Sequence, residues 1–479
     1  MTTRSPLRFL TATAGASLLL ASCAVGPKAP DATLPLSASG AFIGATTPAV
    51  AAQAARDDWW RLYDDPTLDG LVRQALVENN ELEAAAANLR AVRATLNETR
   101  GARLPRLNAD ASATYSRQSA SSTPPGGGAP LGAPEEVETY DAGLDVSYEV
   151  DLWGRVAAAV RAARADADAA EAALDVIRVT VAAETARAYA DACSANARIA
   201  VAERTVELQS GTADLTRRLL EAGSGNGLDV ARARSALESS RAALPPLRAQ
   251  RDGALFRLAT LTGRTPAEAS EAARACVRPP RLSQPIPVGD GAALLARRPD
   301  VRRAERQLAA AAARVNVAVA SLYPTISLGG SAGATALDPG DLGDEDNFRF
   351  SLGPLISWSF TTPGVNRARV ERADANTQAA LAAFDQTVLA ALEETETALA
   401  NYANELDRRA ALQSARDEAA NAARLSRLRF DAGADSFLTV LDAERTLAAA
   451  DAQLAASEAL VTTYQIALFK ALAGGWNEG

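Results

Sequence analysis

The sequence predicts a mainly α-helical fold with a small transmembrane β part: a trimeric, twelve-stranded β-barrel continued by a long α-helical coiled-coil barrel. Three observations carry this. Four segments alternate apolar and polar residues over ten or more positions, two stretches read as unbroken helix for some 68 residues, and the chain repeats itself once. Composition agrees. The 479 residues are 48% hydrophobic but only 5% aromatic, and about a fifth are alanine, the best helix former and a poor filler of core volume, so long and closely packed helices follow. Absence of histidine removes the commonest general base and a usual zinc ligand, and the thiols outside the leader cannot close a metal site, so no metal or other cofactor is expected. A net charge of −9 speaks against nucleic acid as a partner.

Residues 1–22 read as a signal peptide, with Arg4 and Arg8 ahead of the apolar run Phe9 to Ala21, too short to span a membrane. The run ends in Leu20-Ala21-Ser22-Cys23, which resembles the bacterial lipobox and implies a covalent lipid on Cys23; the other reading is an ordinary leader with an incidental cysteine. Ala24, where an aspartate would retain such a lipoprotein, implies sorting to the outer membrane. Acyl chains anchor a protein without spanning. Cys193 and Cys276 remain, an even number in an oxidising compartment, open to a disulfide or to two buried free thiols. Charged residues interrupt every alanine-rich segment, so a membrane crossing requires a barrel.

At an offset of 210, Leu215, Arg217, Ala222, Gly223 and Leu228 fall on Leu425, Arg427, Ala432, Gly433 and Leu438. Earlier the offset is 219, with Leu89, Asn97 and Pro105 on Leu308, Asn316 and Pro324, and the difference is absorbed in the Gly/Pro/Ser-rich tract Ser119 to Pro134. The predicted order is an N-terminal equatorial segment over 23–66, repeat one over 67–263, an equatorial linker over 264–290, repeat two over 291–474 and a tail over 475–479. Each repeat reads as helix, strand, loop, strand, very long helix, turn and helix.

In repeat one the first helix runs roughly from Leu68 to Arg103 and stops before Pro105. Strands follow over 107–116 and 140–152, then a long helix over 155–222 and a helix over 228–262 with a kink at Pro245-Pro246. Repeat two gives strands over 325–335 and 348–360 and helices over 365–432 and 437–472. Strands of this length match the ~9 to 11 residues that cross a bilayer when tilted, and aromatics such as Tyr140, Trp153, Phe348, Trp358 and Phe360 lie towards their ends. A soluble sheet with one wet face is the alternative. Four strands cannot seal a barrel, two copies leave an interior filled by side chains, and three leave a pore, as the acidic face of Asp110, Asp141, Asp145, Glu149 and Asp151 requires. Helices some 68 residues long, about 100 Å at 1.5 Å per residue, need partners along their length.

Trp59-Trp60 with Asp64-Asp65-Pro66, the stretch Tyr148 to Arg155, Arg298-Pro299-Asp300-Val301, Leu441-Asp442-Ala443-Glu444-Arg445 and Ala471 to Trp476 together resemble the TolC-type outer membrane factor family, in its OprM/NodT-like efflux lipoprotein branch. The resemblance implies a homotrimeric channel-tunnel at the outer membrane, with strands in lipid and a large periplasmic portion, that conducts and does not catalyse. It implies a periplasmic adaptor and an inner-membrane transporter of the resistance-nodulation-division type as partners. It also implies that Leu438, Asp442 and Arg445 constrict the periplasmic end, and that Arg218, Leu219 and Gly223, with Arg427, Leu428 and Gly433, form the adaptor-docking tips. The bland alternatives are a solvated Asp442–Arg445 pair and glycines that merely cap helices. A duct for an ABC-type protein secretion system and a lipid-anchored scaffold that never enters the membrane are the competing functions. A hydrolase using Glu393 and Glu394 has no pocket signal to support it.

Overall fold

The computed structural model describes residues 25–30, 32–34, 36–45, 47–117, 136–359 and 363–472. The leader, Cys23, the tract Ser119 to Pro134, Phe360 and the 475–479 tail lie outside those residues.

Two compact units divide the chain. One comprises Arg90–Ala169 and Glu305–Ala383 with the described residues up to Ala32; the other comprises Thr33–Leu89, Ala170–Ala304 and the described residues from Phe384 onward. The first unit holds an antiparallel sheet of strands β2 (Arg106–Arg117), β3 (Glu136–Val150), β5 (Thr325–Ala336) and β6 (Phe348–Ser357), in that spatial order. Register sorts the side chains by chemistry. Leu107 pairs with Val146, Val146 with Gly330 and Gly330 with Leu352, while Ser112 pairs with Asp141 and Asp141 with Thr335. Because side chains alternate along a strand, one face collects Leu, Val, Phe and Ile and the other Asp, Ser, Thr and Gly. β3 ends at Val150, short of the expected Leu152, because Asp151 leaves the strand to accept hydrogen bonds from the Val156 and Ala157 amides at 2.9 and 2.7 Å. It caps a helix instead of lining a face. β6 ends at Ser357, so Trp358 lies beyond it, its indole N–H donating to the Leu322 carbonyl at 3.2 Å.

The second unit has its core around Trp59, Leu68, Leu255, Leu258, Ile286, Leu399 and Leu468, all buried. Trp59 stacks on Phe469 at 4.8 Å, and Asp65 caps helix α1 (Pro66–Glu78) by accepting from the Thr67 and Leu68 amides at 2.9 and 3.1 Å, with Pro66 in the first turn, where a missing N–H costs nothing. The single helix expected from Leu68 to Arg103 is two, α1 and α2 (Asn80–Gly101). Asn79 divides them: its Oδ1 accepts from Glu81 and Leu82 amides and its Nδ2 donates to the Leu261 carbonyl at 3.0 Å. The Arg298-Pro299-Asp300 stretch is also structural, Arg298 reaching the Ala471 carbonyl at 2.9 Å, Asp300 at 2.7 Å and Glu394 at 2.8 Å, which occupies one carboxylate of the Glu393-Glu394 pair.

The long helices α3 (Arg155–Glu221) and α9 (Pro363–Asp431) have 67 and 69 residues. Their followers differ. The helix expected over 228–262 is broken into α4 (Gly227–Ala242) and α5 (Leu244–Leu261), whereas α10 (Phe437–Leu472) is continuous. Pro245 and Pro246 cannot donate to the preceding turn, so they start a new helix instead of bending an old one. Between Thr265 and Asp290 the backbone is irregular, with a short helix, α6 (Glu271–Arg274), and strand β4 (Ile286–Pro287) pairing in parallel with β1 (Val50–Ala51). Helices α7 (Gly291–Arg297) and α8 (Pro299–Ala320) then lead back to β5. A disulfide joins Cys193 on α3 to Cys276 across a Cα separation of 5.0 Å.

Candidate functional site

On the sheet, the expected acidic face is present but not uniformly acidic. Asp141 accepts two hydrogen bonds from the Arg349 guanidinium at 2.7 and 2.8 Å and one from Thr335 at 2.6 Å. Arg349 was missed by sequence reasoning, although its place between Phe348 and Phe350 puts it on the polar face by alternation. Glu149 accepts from Arg155 Nε at 2.8 Å, so its charge is matched where α3 begins. Asp110 and Asp145, on neighbouring strands, form no ion pair among the described residues; Gly143, opposite Asp110, leaves the carboxylate room. The apolar face is open: Phe350 and Leu352 are 77% and 75% exposed. Among the described residues no helix is long and apolar enough to cross a membrane.

In the other unit, α3 and α4 meet at a turn whose Gly223 has φ +74°, and α9 and α10 meet at Gly433 with the same value, a left-handed conformation that glycine adopts without strain. The Leu219 carbonyl accepts from Ser224 and Gly225 amides at 2.9 Å, and the Arg429 carbonyl from Ala434 at 2.8 Å. The two tips share a backbone and differ in side chains. Arg218 pairs with Asp214 at 2.6 Å, whereas Arg427 reaches Glu444 at 3.1 Å; Leu428 is exposed and Leu219 half-buried. In the second tip Arg429 also holds Asp435 at 2.8 Å and keeps that carboxyl below its ordinary range, chiefly through this hydrogen bond.

Just past the second tip, α10 turns Val440 and Leu441 into the core, which leaves Leu438, Asp442 and Arg445 on the outward side. Leu438 is 49% exposed, and neither Asp442 nor Arg445 has an ion-pair partner among the described residues. The solvated pair between them expected from their i, i+3 spacing is therefore not formed within the chain. Glu444 is the acid that sequence reasoning overlooked: half-buried, it accepts from Thr212 Oγ1 at 2.9 Å and from Arg427. It stands between Ala443 and Arg445, and nothing in that local pattern pointed to a partner on α3.

The outer membrane efflux protein family matches residues 71–264 and 292–474. The chain is 34% identical over 431 residues to the pyoverdine export outer membrane protein OpmQ of Pseudomonas aeruginosa, covering 87% of each. It is 30% identical over 474 residues to outer membrane protein OprJ of the same organism, covering 97% of this chain and 95% of that protein. Among solved structures, the outer-membrane channel OprN superposes with a TM-score of 0.87 at 35% identity, covering 94% of this chain and 99% of that one. The outer membrane protein VceC of Vibrio cholerae gives 0.79 at 25%, covering 88% and 100%. The chain thus belongs to the outer membrane efflux protein family, the TolC-type channels.

Proposed function

We propose that three copies of this chain close one twelve-stranded barrel in the outer membrane around a wet conduit. Through it an inner-membrane transporter of the resistance-nodulation-division type, joined by a periplasmic adaptor, passes small molecules to the exterior. The sheet carries this reading. Among the described residues β2 and β6 are edge strands, each with one side unpaired, and the exposed apolar face runs along all four strands. Lipid tolerates no unpaired backbone edge, so a sheet with this face needs further strands to pair with. Two copies would fill their own interior, whereas three give the ~12 strands that leave space for water around Asp110 and Asp145.

A lipid on Cys23 fits the same picture. The Val25 amide donates to the Trp153 carbonyl at 3.5 Å, and Trp153 stacks on Tyr323 at 4.7 Å, an aromatic pair suited to the membrane interface. Cys23 lies two positions upstream of Val25 in the sequence. Leu438, Asp442 and Arg445 then serve as the periplasmic gate, the charged groups finding partners on neighbouring copies, and the two glycine turns serve as adaptor-docking tips. Relatives named for pyoverdine export and for antibiotic and toluene efflux favour small molecules over secreted proteins as cargo.

Single-channel recording in a planar bilayer tests the proposal. The wild type is expected to show low conductance that rises in Asp442→Ala plus Arg445→Ala. Equal conductance in both removes the gate, and no conductance in either removes the channel. A stable monomer by light scattering removes the shared barrel.

A further inference from the structure

A cleft of about 500 Å³ opens in the second unit where α4 breaks into α5, between α3 and α10. Ala243, Pro246 and Leu247 form its floor at the break, and Ala448, Ala452 and Ala455 on α10 set the opposite wall back by being short. The volume lies within the ~300 to 1,000 Å³ of small-molecule sites.

Its polar groups are incomplete in a specific way. Gln209 is 3% exposed, and its Oε1 has no hydrogen-bond partner, an arrangement that costs stability unless something donates to it. Arg198 and Arg445 bring two guanidiniums, and neither has a carboxylate partner among the described residues; Arg198 donates only to the Gln250 amide oxygen at 3.0 Å. The Thr205, Ser239 and Ser240 hydroxyls are already spent on carbonyls of their own helices and cannot donate to Gln209.

The internal repeat says that packing alone does not call for this chemistry. At the offset of 210, Gln209, Ser240 and Gln250 fall on Ala419, Ala450 and Leu460, and Ala419 is buried as Gln209 is. At these three positions the second copy carries apolar side chains. The first copy has an unanswered acceptor there, next to the proline break that opens the space.

We propose that this cleft binds an amphipathic organic anion: a carboxylate against Arg198, a rigid apolar body against the alanines of α10, and a hydroxyl or N–H donor for Gln209 Oε1. A guanidinium recognises a carboxylate through paired N–H donors, and a site built around a lone acceptor discriminates strongly against an analogue lacking the donor. The site adds ligand recognition to the proposed conduit.

The probe is 6-hydroxy-2-naphthoate, followed by fluorescence anisotropy on the full-length protein in detergent, with 2-naphthoate and 2-naphthol as analogues lacking the donor and the carboxylate. Saturable binding of the hydroxynaphthoate is expected, weakened about tenfold or more in 2-naphthoate, consistent with loss of a hydrogen bond to a buried acceptor. In Gln209→Leu the two naphthoates should bind alike. Arg198→Gln should weaken both naphthoates and leave 2-naphthol unchanged. No saturable binding to the wild type, as when a second copy of the chain covers the cleft, overturns the proposal. Equal affinity of the wild type for all three probes, as in partition into the micelle, overturns it equally and requires no variant to fold.

Discussion

Thr212 on α3 and Glu444 on α10 join the two halves of the chain near their tips, Thr212 Oγ1 donating to Glu444 Oε2 at 2.9 Å. The threonine is buried and the carboxylate is largely shielded, with Arg427 on its other oxygen. Burial pushes the Glu444 carboxyl above its ordinary 4.5, outweighing Thr212 and Arg427, which pull it down.

A raised folded-state value means that the folded protein holds this proton more tightly than the unfolded chain. The stabilisation is then complete below about the unfolded pKa and is lost as pH rises through the folded one. Glu444→Gln keeps an acceptor for Thr212 and removes the titration, so the thermal midpoint of the variant should vary less over that mildly acidic window. Glu444→Ala leaves a buried hydroxyl unpaired and should cost about 1–3 kcal/mol at any pH. Thermal melts of the solubilised protein at a series of pH values check both, and a wild-type pH profile retained in Glu444→Gln would assign the dependence elsewhere.

The Cys193–Cys276 bridge closes a sequence separation of 83 residues, tying the irregular segment before β4 to the buried face of α3. Cross-links over long loops restrict the unfolded chain, and removing one of this kind costs about 2–4 kcal/mol. Asn196 still donates to the Arg274 and Cys276 carbonyls at 3.1 and 2.7 Å, so the segment should loosen without detaching. Cys193→Ala plus Cys276→Ala is expected to lower the melting temperature and to speed amide exchange around Ala273. Reductant should lower the wild-type midpoint to the variant's value and leave the variant where it is.

Strands and long helices were legible because their signals are local. Strict alternation from Leu107 to Ser116 admits only a strand, and no proline interrupts α3. The break at Asn79 was not legible, since asparagine inside a helical pattern becomes a divider only when something distant fixes its amide, here the Leu261 carbonyl 182 positions away. Asp151 was misplaced for a similar reason: alternation continues to Leu152, but an acid just before a helix N-terminus is drawn to the free amides of that helix. At the tips, glycine spacing marked both turns, while the repeat counterparts Arg217 and Arg427 differ in their partners, Arg217 holding Asp214 and Glu221 within α3 and Arg427 reaching Glu444 on α10. The cleft at Gln209 had no sequence signal except its disagreement with Ala419.

The seam between the two halves of the sheet is β3 against β5, and Gly333 lies in it opposite Gly143. A Cβ there would lie 2.5 Å from the Ala142 carbonyl oxygen and 2.9 Å from Gly143 Cα. Both are backbone atoms of the facing strand, so no side chain can rotate to make room and the strands themselves must part. Gly330, three positions earlier on the same strand, provides the control. Its Cβ would meet Leu352 Cδ1 and Val146 Cγ1 at 3.2 Å, the ends of side chains on an open face that can turn away. Overpacking against rigid neighbours costs about 1–3 kcal/mol, and in the proposed barrel that cost falls on every copy. Gly333→Val is therefore expected to abolish the proposed oligomer, assayed as a heat-modifiable band on gel electrophoresis of outer membranes, while Gly330→Ala retains it. The same variants separate seam from edge: if Gly333→Val assembles normally, β3 and β5 are not held at this spacing in the membrane, and the four strands do not enter the barrel as one continuous sheet.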